Sequence, residues 1–138
     1  MILPVSAASP MRLLVDEDTA SATLITRLLA AAHEVVQVPH GTLDEVVFNE
    51  AQRLALPILT ANVGRKGRHD PVGLYQLSIE RVPHCGVIGI FRPAPGRWLS
   101  DSLIVAALAR LVAQEQTQPG TALRPNGLTR LNDFLPQS

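Results

Sequence analysis

The sequence predicts an α/β domain of three layers, α/β/α, around a mainly parallel central sheet. Two observations carry that prediction. Short apolar runs alternate along the chain with segments of helical period, in the order β-α-β-α-β-(α)-β-α. Two of the helical segments open on recognisable start signals. At 138 residues the chain has the length of one domain, and 46% hydrophobic residues suffice for a core.

The first strand is residues 12–15, Arg-Leu-Leu-Val, and it stops abruptly at Asp16-Glu17-Asp18. A helix over residues 19–32 follows, with Leu24, Ile25, Leu28, Leu29 and Ala32 on one stripe. Residues 34–38 form a valine-rich second strand. Thr42-Leu43-Asp44-Glu45 then matches a capping box, with Thr42 as N-cap and Glu45 at N3. The helix it opens is expected to turn Leu43, Val46, Val47, Ala51 and Leu54 inward.

Residues 57–60 read as the third strand. The loop that follows, 61–71, holds Gly64, Arg65, Lys66, Gly67, Arg68, His69 and Asp70. A short helix over 72–79 precedes a fourth apolar strand, 86–91, stopped by Arg92 and Pro93. Ser100 caps a long helix to about Glu115, with Leu99 and Ile104 at the N′ and N4 staple positions. Trp98 is expected to pack where that helix begins, and Cys85 to be a small buried residue.

Three segments follow from this reading. Residues 1–10 are expected to be a disordered N-terminal extension or sequence upstream of the true start, 11–116 the α/β domain, and 117–138 a polar, turn-rich tail. Residues 122–131 alternate around Pro125-Asn126-Gly127, the pattern of a small hairpin. The tail also carries Leu128, Leu131, Phe134 and Leu135, an apolar set suited to docking on its own domain, a second copy or a partner.

Composition narrows the function classes. Charged residues are 17% and the formal net charge is +0, so no general polyanion-binding or membrane-surface footprint is present. Any attraction to phosphates must be local. The single cysteine excludes an intramolecular disulfide framework and suits a reducing, cytoplasmic setting. No apolar run approaches the length of a bilayer span. Residues 1–10 lack a basic segment, so a secretory signal is not expected.

The residues with chemistry gather where strands end. Asp16 and Asp18 follow the first strand, Asp44 and Glu45 open the second helix, and Asn62 follows the third strand. In a parallel sheet these positions converge on one edge. Oxygen ligands with few nitrogens suit a hard cation such as Mg²⁺ or Mn²⁺. Arg65, Lys66, Arg68 and His69 would add local positive charge for phosphates. Asp16, an acid directly after a buried strand, needs a partner or a function, but several of the other positions have a plain structural reading. Asp18 or Thr19 can cap the first helix. Asp44 and Glu45 sit where the helix dipole favours acids. His33 suits a helix C-terminus. The basic run can be a solvated loop.

Taken in order, these motifs resemble the PIN-like nucleases of the small, toxin-type bacterial subgroup. The resemblance rests on Val15-Asp16-Glu17-Asp18, Ala32-His33-Glu34-Val35-Val36, Thr42-Leu43-Asp44-Glu45, Leu59-Thr60-Ala61-Asn62 and Gly86-Val87-Ile88, and it covers roughly residues 11–111. It implies a PIN-like fold and metal-dependent cleavage of RNA, often as the toxin paired with an antitoxin protein and commonly as a homodimer. It makes Asp16 and Asp44 the metal-ligand candidates. Asn62 stands where the family has its third acid, and Gly64 where a further Asp would be. An asparagine offers a carbonyl oxygen but no charge, so metal affinity should fall. Asp18 and Asp70 are the candidate substitutes.

That departure supports a second reading, a catalytically weakened relative acting as an RNA- or protein-binding module. Phosphorelay receiver domains also resemble Leu14-Val15-Asp16-Glu17-Asp18 and Leu59-Thr60-Ala61. No aspartate ends a strand between those motifs to accept a phosphoryl group, and Lys66 is the only lysine. The receiver reading fails on those residues.

Overall fold

The computed structural model describes residues 11–16, 19, 21–39, 41–61, 74–94 and 96–136, with 74–76 described by backbone alone. Within them the chain is an α/β sandwich. Five strands form one sheet: β1 (Arg12–Val15), β2 (Glu34–Gln37), β3 (Ile58–Thr60), β4 (Val87–Gly89) and β5 (Leu128–Arg130). The helices are α1 (Ala22–Ala30), α2 (Asp44–Leu54), α3 (Leu74–Glu80) and α4 (Asp101–Thr117). The sheet order is β2-β1-β3-β4-β5 and every pairing is parallel. The expected fold class is therefore the observed one.

Strand alternation divides the core into two layers. Leu13, Val15, Leu59 and Ile88 face α1 and α4, where they meet Leu24, Leu28, Ile104, Leu108 and Leu111. Leu14, Ile58 and Val87 face α2 and α3, where they meet Val47, Phe48, Ala51 and Leu77. Burial on both faces is why these strands are apolar at successive positions.

This layering fixes the hand of the last crossover. The step from β1 through α1 to β2 runs one way along the sheet; the steps through α2, α3 and α4 run the other way. Yet α4 shares a face with α1, not with α2 and α3. Its crossover is therefore opposite in hand to the other three. Since about 98% of such connections are right-handed, β4–α4–β5 is the left-handed one.

That arrangement replaces the expected hairpin. The Pro125-Asn126-Gly127 turn does form, with Gly127 N–H donating to the Arg124 carbonyl at 3.1 Å and Asn126 at φ 62°. The residues after it do not fold back on those before it. They pair in parallel with β4, Val87 opposite Leu128 and Gly89 opposite Arg130. A short 3₁₀ turn, Leu131–Phe134, follows. Leu131 is fully buried, and Phe134 and Leu135 pack on the α1/α4 layer. The apolar set of the tail thus docks on its own domain.

Side-chain bonds to backbone secure this connection. The Glu115 carboxylate, in the last turns of α4, accepts N–H bonds from Gly120, from Ala122 at 3.0 Å and from Leu123 at 2.9 Å. Burial pushes its pKa up, but the three N–H bonds together outweigh that and hold it below the usual glutamate value. Asn126 brackets His84, its Oδ1 accepting the His84 N–H at 2.7 Å and its own N–H donating to the His84 carbonyl at 3.0 Å. The His84 ring joins in. Its Nδ1 accepts the Gly86 N–H at 2.9 Å, its Nε2 donates to the Ser78 carbonyl at 2.8 Å, and its edge meets the buried Phe48 ring.

Local signals explain the remaining differences from expectation. Thr42 does not cap α2. Its hydroxyl and its N–H both go back to the Pro39 carbonyl, closing a turn, and Leu43 becomes an N-cap with no side-chain bond. Glu45 pairs with Arg81 instead of returning to the cap. Leu43 and Val46 are consequently on the outer face, 72% and 51% exposed. The first helix begins at Ala22 on a Ser21 cap, whose hydroxyl accepts the Leu24 N–H at 3.1 Å. Leu29 and Ala32 of the expected stripe are exposed. Ser100 caps α4 as expected, and Leu99 and Ile104 share the core layer beneath it. Cys85 is half-buried rather than buried. His33 is buried, but not as a cation at a helix end. Its Nδ1 accepts the Met11 N–H at 3.1 Å, and burial lowers its pKa from the ordinary imidazole value.

Candidate active site at the carboxyl edge

The strand order reverses at β1. The chain leaves β1 toward β2 on one side and returns to β3 on the other. In open α/β sheets such a reversal leaves a crevice outside the carboxyl ends of the two flanking strands, which is where ligands bind. Asp16 is the first residue beyond β1, and Thr60 is the last of β3.

The backbone continues the sheet through Asp16, whose N–H donates to the Leu59 carbonyl at 3.1 Å. By alternation Asp16 follows Leu14, and Thr60 follows Ile58, onto the α2/α3 face. The two side chains meet there: the Thr60 hydroxyl donates to Asp16 Oδ2 at 3.0 Å. Asp16 is only 1% exposed and Thr60 is fully buried. A carboxylate so deeply placed is costly unless it is bonded, and the sheet supplies a hydroxyl to bond it.

Thr19 locks the two strand exits together. Its N–H donates to the Asp16 carbonyl at 2.9 Å, and its hydroxyl oxygen accepts the Ala61 N–H at 2.8 Å. Thr19 is therefore no helix cap but a clasp between the β1 and β3 exits. Asp44 is the first residue of α2, beyond the carboxyl end of β2, the neighbour of β1. The topology thus brings Asp16 and Asp44 to the same edge through adjacent strands. The other expected site residues, Asp18, Asn62, Arg65, Lys66, Arg68, His69 and Asp70, lie outside the described residues.

Among the described residues no group of three His, Cys, Asp or Glu side chains comes together to hold a metal ion. Asp16 and Asp44 do provide the right kind of donor, since Mg²⁺ is commonly held through one or two carboxylates while keeping several waters.

Sequence reasoning did not single out Thr19 and Thr60 as a site pair. The signal lay in the chain: two hydroxyl residues, one just beyond the acids and one ending a buried strand. Reading them together required knowing that β1 and β3 are neighbours. Trp98 lies at the start of α4 as expected, but it is 60% exposed, with the Arg92 guanidinium 4.3 Å above its ring.

Among the described residues no helix is long and apolar enough to cross a membrane. No protein-family model, no curated protein and no solved structure matches this chain.

Proposed function

We propose that this chain is a metal-dependent ribonuclease of PIN-like type. The observation that carries the reading is the buried Asp16 carboxylate at the β1 exit, clasped to the β3 exit at the point where strand order reverses. Asp16 and Asp44 would hold Mg²⁺ or Mn²⁺, with Asn62, Asp18 or Asp70 completing the oxygen shell. A divalent ion held there would supply charge neutralisation at the scissile phosphate and a water of lowered pKa as the source of the nucleophile. The chain's own part is positional. The Thr60 hydroxyl fixes the Asp16 carboxylate, and Thr19 holds the two exits at a set separation. Arg65, Lys66, Arg68 and His69 would hold the phosphate backbone. A cytoplasmic toxin of a toxin–antitoxin pair is the setting this chemistry suits, with an antitoxin or a second copy as protein partner.

Asn62 and Gly64 favour a second reading, a weakened relative that binds RNA or protein without cutting. Cleavage of labelled single-stranded RNA with Mn²⁺, with Mg²⁺ and with chelator separates the two. Metal-dependent cutting supports the nuclease; none by folded protein favours the binding module. If Asn62→Asp then raises cutting from near zero, the site is a decayed one.

A further inference from the structure

Next to the Asp16 edge is a cavity of about 150 Å³ on the opposite, α1/α4, face of the sheet. Thr19 and Ala61, the two residues of the clasp, form its wall toward Asp16. Leu24 and Ile90 lie among its apolar lining, and Trp98 and Asp101 complete it. The segment above it, between β4 and α4, is held by the Arg97 N–H donating to the Ala94 carbonyl at 3.0 Å. It presents Arg92, Arg97 and Trp98, all exposed. Neither arginine is ion-paired with a described residue.

An exposed tryptophan beside an apolar cavity, flanked by two cations, is the arrangement that stacks and holds one base of a single strand. We infer that this cavity is a nucleobase subsite for single-stranded RNA, with Trp98 as the stacking platform. Arg92 over the Trp98 ring would form one layer of the stack and the base another. Asp101 Oδ2, which accepts the Thr23 hydroxyl at 2.5 Å, places a carboxylate where base N–H groups can donate. A strand crossing the sheet edge would seat its base on the α1/α4 face while its phosphate passes over Asp16. The inference rests on the reading of the Asp16 edge as an RNA site.

Trp98 is the only tryptophan, so its fluorescence reports the subsite directly. The full chain is titrated, in chelator to prevent cutting, with a single-stranded adenosine RNA hexamer and with an abasic hexamer of equal charge. Saturable quenching by the first and not by the second is expected. With a dye-labelled hexamer read by anisotropy, Trp98→Ala should weaken binding about tenfold or more, and Trp98→Phe only a few-fold. Circular dichroism checks that both variants fold. No quenching, equal quenching by the abasic strand, or full affinity in Trp98→Ala overturns the subsite. Base-dependent quenching without metal-dependent cleavage would leave the subsite standing and remove the nuclease. Cleavage without quenching would do the reverse.

Discussion

Two carboxylates anchor two regions of this molecule in opposite ways. Glu115 sits in the connector between α4 and β5, where three backbone N–H groups converge on it. Asp16 sits at the carboxyl edge of β1, where a side-chain hydroxyl reaches it. Glu115 is engaged by the very segment it organises, and its folded-state charge serves that segment. Asp16 receives the Thr60 hydroxyl from the end of β3, at the reversal of strand order. An acid bonded to the loop it closes is a structural fastener. On the proposed reading, an acid fixed at a sheet edge by a side-chain hydroxyl is placed for chemistry.

The largest effect that would sharpen this contrast is on cleavage. Asp16→Asn keeps an acceptor for the Thr60 hydroxyl but removes the charge. If the chain is the proposed nuclease, this should lower metal-dependent RNA cleavage on the order of a hundredfold or more in a gel assay, with the fold retained. The next breaks the connector. Gly86 has φ +105°, and a Cβ there would lie 2.7 Å from the Arg124 carbonyl oxygen. Gly86→Ala should cost about 1–3 kcal/mol from the strained φ alone, and more from the backbone clash, measured by urea unfolding.

Glu115→Gln comes third, at about 1–2 kcal/mol, because the amide keeps one acceptor oxygen but loses the charge that strengthens the bonds. Its pH dependence has a definite sign. The folded-state pKa lies below the unfolded one, so the carboxylate's contribution is present above the unfolded value, ~4.3, and is lost as pH falls through the folded value. Acid titration of stability should be shallower in Glu115→Gln.

The smallest effect is at His33. Its folded-state pKa is lowered, so the unfolded chain binds the proton more readily. The neutral ring's contribution is full above the unfolded value, ~6.5, and declines as pH falls through the folded value. The urea midpoint should drop between neutral and mildly acidic pH, and His33→Gln should flatten that drop.

How much of this was legible in the chain follows from how local each signal is. The first four strands and all four helices announce themselves by period, and Asp16 stands out because an acid directly ends a buried apolar run. Leu128-Thr129-Arg130 was different. Three residues after a Pro-Asn-Gly turn look the same whether they fold back or cross to a distant strand. Only their pairing with Val87-Ile88-Gly89 decides, and that partner is some forty residues earlier. The left-handed crossover was hidden for the same reason. Thr42 misled because its hydroxyl has two carbonyl- or amide-side options, and the Pro39 carbonyl behind it won. Thr60 and Thr19 gave no individual signal, since a threonine in a strand or before a helix needs no function. Their meaning appears only where β1 and β3 lie side by side.

The contrast between the two carboxylates is tested most directly by measuring stability and RNA cleavage on the same preparations of Asp16→Asn and Glu115→Gln. The account predicts that Asp16→Asn loses metal-dependent cleavage while still unfolding cooperatively, and that Glu115→Gln loses stability while cleaving at the wild-type rate under folding conditions. Undiminished cleavage by Asp16→Asn, or its loss in folded Glu115→Gln, would contradict it.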